Sequence, residues 1–352
     1  MINPQELFET AAAMRASDIH LLASVPPILR IDGKLITVNC LSLSTADIAL
    51  IFNEITSTEQ RNAFQKEHEL DFSYHHSKEI HFRVNASRQR ASISLVFRLI
   101  RNIIPTFEEL GLPPICQELA CKPNGLVVIT GPTGSGKSST MAAIIGYLNR
   151  YHRRTVITVE DPIEYEYESE ECVISQREVG FDTHSFAIAL KHALRQDPDI
   201  ILVGEMRDYD TASMVLMAAE TGHLVLSTGH APSAHMSIER IIDLFPAYQQ
   251  QLAQVRLATV LQGVLCQMLV PRKSGAGRVP AVEIMLGTPA VKNLIREGKI
   301  YQLPNVIRTN SQSGMCTMDE SLASLYMKSL ISREELFTHC NNQSELCGLI
   351  GE

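Results

Sequence analysis

The sequence predicts an α/β fold in two domains, and three observations predict it. The chain has 352 residues, enough for two domains of ~150 residues each. After Gly125, short continuous apolar runs alternate with helical patterns, the signature of a parallel sheet covered on both faces. Before Ile100, short strand-like segments are interrupted by helical patterns, which reads as α+β.

In chain order, Pro4 to Met14 and Ser44 to Gln65 carry helical periodicity. Strands are expected at Ile19 to Leu22, Pro27 to Ile31, Leu35 to Val38, Leu70 to Tyr74, Ile80 to Asn85 and Ala91 to Ile100, with a tight hairpin turn at Asp32-Gly33. Pro105, Pro113, Pro114 and Pro123 punctuate a stretch of little regular pattern, with one short helix at most. The expected divisions are an N-terminal domain over 1–102, a linker over 103–124, a core over 125–288 and a helical region over 289–352. Core strands are predicted at Leu126 to Thr130, Thr155 to Val159, Ile200 to Val203 and Leu224 to Ser227, with helices starting near Ser138, Ser185, Thr211 and Ser233. In the last region Met318, Leu322, Leu325 and Tyr326 recur near helical spacing within Thr317 to Leu330.

Composition excludes several classes. At 45% hydrophobic and 20% charged residues the chain is globular, not disordered. Met1 to Ala11 carries Glu6 and Glu9 and no basic flank before an apolar run, so no export signal is expected. The most apolar stretch, Leu257 to Val270, is interrupted by Gln262 and Gln267 and is short for a membrane helix, so a cytoplasmic protein is expected. None of the eight cysteines forms a Cys-x-x-Cys pair, which argues for packing thiols and against a zinc ribbon. A net charge of −8 gives no general footprint for nucleic acid or an anionic membrane.

The segment Gly131-Pro132-Thr133-Gly134-Ser135-Gly136-Lys137-Ser138 fits G-x-x-x-x-G-K-[ST] between a buried strand and a helix. Its glycines allow a sharp turn whose N–H groups surround phosphate oxygens. Lys137 supplies a positive charge for the β- and γ-phosphates of ATP, and the Ser138 hydroxyl suits Mg²⁺. Glu160-Asp161-Pro162-Ile163-Glu164 ends the next strand, on the side where a parallel sheet binds ligands. Alone it also reads as an acidic surface turn, since Glu166, Glu168, Glu170 and Glu171 follow. The run Asp197 to Glu205 is an apolar strand ending in a carboxylate, and His223 and His230 flank the strand after it. Single histidines usually serve packing, whereas a pair bounding a core strand suggests a γ-phosphate sensor.

In order and spacing these features resemble the secretion ATPase superfamily: type IV pilus motors, type II secretion ATPases and type IV secretion ATPases. Ala16-Ser17-Asp18-Ile19-His20-Leu21 resembles its N-terminal Ala-Ser-Asp-hydrophobic-His motif, Glu160 to Glu164 its Asp box, Asp197 to Asp208 its Walker B segment, and the two histidines its His box. The chain is most similar to the retraction-type (PilT-type) ATPases. The long extra N-terminal domain and tetracysteine module of extension and type II enzymes are not expected in it, and Ala290-Val291-Lys292-Asn293-Leu294-Ile295-Arg296-Glu297 resembles the retraction signature except at Val291 and Lys292. A second departure is Gly229, where relatives carry Leu, which would loosen the hold on His230.

The resemblance implies a PAS-like N-terminal domain and a RecA-like P-loop domain with ATP and Mg²⁺ between them. It implies a homohexamer, peripheral to the inner membrane, acting on a pilus platform protein and indirectly on pilin, without direct nucleic acid. The nucleotide-binding residues would be Gly131 to Ser138, with Ser139 and His223. Ser138 and Glu205 would serve Mg²⁺, with Glu205 on either its side or the water's. Glu164 would activate water, with Glu160 as the alternative, and His230 would sense the γ-phosphate. Arg83 and Arg98 match positions that reach phosphates, and Arg195 and Arg207 are further candidates, across a subunit boundary. The competing functions are an extension or type II secretion motor, a nucleic-acid translocase on the same core, and a nucleotide-dependent scaffold that does not hydrolyse.

Overall fold

The computed structural model describes residues 3–351 apart from 15, 32, 78, 79, 102 and 276. The chain divides into two units, Met1–Ile103 and Ile104–Glu352.

In the first unit, Asn3 accepts the Gln5 N–H and Pro4 opens helix α1, Pro4–Ala13. Strands β1 (Asp18–Leu21), β2 (Ile28–Ile31) and β3 (Lys34–Thr37) follow, then helices α2 (Thr45–Ile55) and α3 (Thr58–Glu67), then β4 (Glu69–His75), β5 (Ile80–Gln89) and β6 (Ser92–Arg101). The single helical pattern expected over Ser44 to Gln65 is two helices. Thr56 is extended, and Ser57 opens the second helix through a capping box with Gln60. The sheet order is β3-β2-β1-β6-β5-β4, antiparallel throughout. One of its faces is apolar, and Phe8 of α1 packs there against Phe82 and Phe97. The expected turn at Asp32-Gly33 includes Asp32, which lies outside the described residues; the strands on either side pair with Ile31 opposite Lys34.

The second unit opens with helices α4 (Phe107–Leu110) and α5 (Ile115–Ala120). Phe107, Cys116, Leu119 and Ala120 are buried in its core, so residues 104–124 belong to this unit and do not form a separate linker. Each helix has fewer than two full turns between prolines, too little for periodicity to reveal. Then come β7 (Gly125–Thr130), α6 (Lys137–Tyr151), β8 (Thr155–Glu160), β9 (Val173–Glu178), α7 (Phe186–Ala193), β10 (Ile200–Val203), α8 (Tyr209–Glu220), β11 (Leu224–Thr228), α9 (Ala234–Asp243) and α10 (Gln250–Val260). Strands β12 (Leu261–Pro271) and β13 (Arg278–Leu286) lead to α11 (Pro289–Arg296), α12 (Leu303–Thr309), α13 (Met318–Met327), α14 (Arg333–His339) and α15 (Gln343–Ile350).

The seven-stranded sheet has the order β13-β12-β7-β11-β10-β8-β9, parallel except for β13 against β12. Val128, Val203 and Val225 face one apolar layer with α7, α8 and α9, while Val127, Ile129, Leu202 and Leu226 face the other with α6. Burial on both faces is why these strands are continuous apolar runs. Against β12 and β13 a third layer forms from Met318, Leu322, Leu336 and Leu346. Among the described residues no helix is long and apolar enough to cross a membrane.

Candidate nucleotide site

Parallel pairing brings the carboxyl ends of β7, β11, β10 and β8 to one edge of the sheet. There β7 runs into Gly131 to Gly136, β8 ends at Glu160, β10 is followed by Gly204-Glu205, and β11 by Gly229-His230. Gly131, Gly134 and Gly136 have φ of 141°, 78° and 89°, a region L side chains avoid, so the loop's path depends on them. No side chain caps α6 at Gly136, which leaves its first N–H groups as the donors a phosphate would take. Lys137 is buried, and its Nζ donates to the carbonyls of Gly131 (2.9 Å) and Pro132 (3.0 Å). Burial lowers its pKa, while Glu205 and then Glu164 act in the opposite sense.

Glu205 is largely covered, and each of its oxygens meets a cationic or polarised partner. One pairs with Arg207, and the other lies 3.3 Å from His230 Nε2. Arg207 also comes within 4.0 Å of Asp161. The Arg207 pKa is raised, first by its hydrogen bond to Glu205. Glu160 accepts from the Thr158 hydroxyl (2.6 Å) and from Gln176 Nε2 (3.3 Å). Burial nonetheless pushes its carboxyl up to about 7, with Thr158 and Gln176 opposing and Glu164 adding. Glu160 is thus poised to exchange a proton near neutrality, whereas Glu164 is exposed beside it.

Sequence reasoning missed the groups that hold these elements in place. The Thr130 hydroxyl donates to the Ala231 carbonyl (3.0 Å) and accepts the Ala231 N–H (2.8 Å), joining the loop after β11 to the end of β7. The hydroxyls of Ser139 and Tyr165 are 2.9 Å apart, linking α6 to the acidic loop. Thr and Tyr in apolar surroundings carry no sequence signal for such roles. At Gly229 the backbone is not loose: its N–H donates to Ile129 O (2.9 Å), and Arg240 holds the His230 carbonyl at 2.9 Å. A Cβ at Gly229 would sit 3.3 Å from the Thr130 hydroxyl, so a larger side chain would press on the group that anchors Ala231.

Other expected residues lie elsewhere. His223 precedes β11 at the opposite edge, where Leu224 pairs with Gly125. A five-residue strand separates it from the phosphate loop, a span of ~16 Å, so within one chain it does not reach the phosphates. Its Nδ1 lies 2.9 Å from Ala218 O and 3.2 Å from the Thr221 hydroxyl, which closes the end of α8. Periodicity reports both ends of a strand alike, hence the expectation of two phosphate-side histidines. Arg195 is exposed at that same far edge. In the first unit, Arg83 and Arg98 are direct cross-strand neighbours, both exposed. Arg98 Nε donates to buried Asp18 at 3.0 Å, and Arg30 lies 3.6 Å from the other Asp18 oxygen. In α11, Lys292 Nζ donates to Thr259 O (3.1 Å) in the last turn of α10, a point contact where a guanidinium would offer a fork.

The family named "Type II/IV secretion system protein" matches residues 2–330. The chain is 46% identical over 329 residues to "Type IV pilus retractation ATPase PilT" of Pseudomonas aeruginosa, covering 94% of this chain and 95% of that protein. It is 41% identical over 340 residues to "Twitching motility protein" of Neisseria gonorrhoeae, covering 97% and 91%. Among solved structures, that of the pilus retraction motor PilT with bound ADP superposes with a TM-score of 0.91 at 40% identity, covering 98% of this chain and 99% of that one. That likeness gives the architecture as an N-terminal domain followed by a RecA-like ATPase domain. At these identities and coverages the chain belongs to the type II/IV secretion system protein family, as one of its PilT-type ATPases.

Proposed function

We propose that this protein is the ATP-hydrolysing motor of type IV pilus retraction, a homohexamer that acts on an inner-membrane platform protein and through it returns pilin to the membrane. The observation that carries the reading is the topology that brings the phosphate loop and Lys137 after β7, Glu160 to Glu164 after β8 and Glu205 after β10 to one edge of a parallel sheet, beside a helix start with no side-chain cap. Gly131 to Ser139 bind the phosphate chain, with Lys137 neutralising charge on the β- and γ-phosphates. Ser138 and Glu205, a hydroxyl and a carboxylate, are the hard oxygen donors that would hold Mg²⁺, with Glu205 giving up its contact to Arg207 or His230 to do so; bound with the nucleotide, the ion would spread charge from the phosphate oxygens. Glu164 orients and deprotonates the attacking water, with Glu160 as the alternative, since its pKa of about 7 suits proton acceptance. His230, held on Glu205, reports the γ-phosphate to β11.

The direction of the motor rests on the names of the relatives and on the signature Ala290 to Glu297 in α11. Deleting the gene and imaging labelled pili tests it. Persistent pili that no longer retract, with retraction restored by the wild-type chain, are the expected result. Loss of surface pili would make the protein an extension motor, and unchanged retraction would remove it from pilus dynamics.

A further inference from the structure

Strand β12 is apolar for most of its length, yet Gln267 within it is buried to 3% exposure. Burying an amide without partners is costly, so its bonds show what it is there to hold. Gln267 Nε2 donates to Ser135 O in the phosphate loop at 2.8 Å, and its Oε1 accepts from the Thr140 hydroxyl in the first turns of α6 at 2.8 Å. The orientation of the amide is fixed by chemistry: a carbonyl only accepts, so the nitrogen must face Ser135. The backbone approaches equally closely. A Cβ at Gly131 would lie 2.2 Å from Gln267 O, and one at Gly136 would lie 2.8 Å from Gln267 Nε2. The first glycine of the loop is therefore required by the β12 backbone at position 267 as well as by its φ angle, and the last is crowded by the Gln267 amide itself.

We propose that Gln267 is a positioning residue for nucleotide binding: acting only through the loop, it holds Ser135 and the start of α6 in the phosphate-binding conformation. This rests on the reading of Gly131 to Ser138 as the phosphate loop. Preorganisation of this kind acts on ground state and transition state alike, because both carry the same β-phosphate contacts. Its loss is therefore expected in affinity and KM more than in kcat. The chain supplies its own control. Gln262, on the same strand, makes a comparable bond from Nε2 to Asn124 O at 3.0 Å, but at the opposite edge of the sheet, before β7 begins.

The test uses the purified full chain, a fluorescent ADP analogue, steady-state phosphate release and thermal melting. Gln267→Met keeps the volume and removes both bonds. It is expected to weaken ADP binding and raise KM for ATP by about tenfold, with kcat changed about twofold or less. Gln262→Met is expected to leave both near wild type. Thr140→Val, which deletes one bond and leaves the amide in place, is expected to weaken binding about threefold, and it carries the test if Gln267→Met does not fold. The double variant should bind no worse than Gln267→Met, because both act through one network. A lowered melting temperature with unchanged ADP affinity in both Gln267→Met and Thr140→Val would overturn the proposal, leaving Gln267 a stability residue. Wild-type protein that fails to bind ADP, or Lys137→Ala that binds and hydrolyses normally, would instead overturn the loop reading beneath it.

Discussion

At the carboxyl edge of the parallel sheet, Lys137 is buried with its ammonium on the loop carbonyls, Arg207 and His230 bracket Glu205, and the Glu160 carboxyl is pushed up to about 7. At the amino edge similar residue types do quieter work. Asp199 accepts the Thr155 N–H at 2.8 Å, His223 closes α8, and Gln262 bonds to Asn124 O, each tying a turn to the sheet. The polarity of the strands makes the difference: it converges four loops and an uncapped helix start on one edge, whereas the other receives helix ends and turns. Residue type alone identifies neither edge, and charges that engage one another matter more than charges that cap backbone.

The largest effect that can sharpen this contrast is at Glu205. Glu205→Gln and Glu164→Gln keep side-chain size and remove charge, so ATP hydrolysis should fall by about 10²–10³-fold while ADP binding persists. Single-turnover and equilibrium binding measurements separate the two. If Glu164→Gln turns over normally and Glu160→Gln is inactive, the water belongs to Glu160.

The histidines test the edges directly. His230→Ala should cut turnover by about tenfold through its loss from Glu205, whereas His223→Ala should leave turnover within about twofold and cost about 1 kcal/mol of stability at the end of α8. Equal effects in steady-state assays would break the comparison.

A smaller effect concerns pH. In the folded chain the Glu160 carboxyl has its pKa raised from 4.5 to about 7. Between those values the folded state binds more proton than the unfolded state. Its contribution is therefore fully present below 4.5, is lost as pH rises towards about 7, and is constant above that. Glu160→Gln should remove this slope, flattening the fall in melting temperature between about pH 5 and about pH 8 by a few degrees. A wild-type slope in that variant would place the titration elsewhere, for instance at Glu283, whose pKa burial also raises.

Much of this edge was legible in the sequence because its signals are local. The run Gly131 to Ser138, the carboxylates ending β8 and following β10, and the strand Ile200–Val203 all report themselves within a few residues. What escaped depends on partners distant in the chain. Strand β9 reads as polar because most of its side chains are partly exposed at a sheet edge. The apolar stretch Leu257 to Val270 conceals a switch from α10 to β12 between Val260 and Leu261, with no breaker at the junction. Gln262 and Gln267 looked only like interruptions of that stretch; their roles appear once β12 lies beside β7. His223 was misplaced because a strand's direction is set by its neighbours.

The most direct measurement is phosphate release by the purified wild-type chain beside Lys137→Ala at saturating ATP and Mg²⁺. The buried ammonium at the carboxyl edge predicts sustained turnover in the wild type and none above background in the variant, with both proteins folded by melting. Equal turnover in the two would contradict the assignment of this edge as the site of hydrolysis.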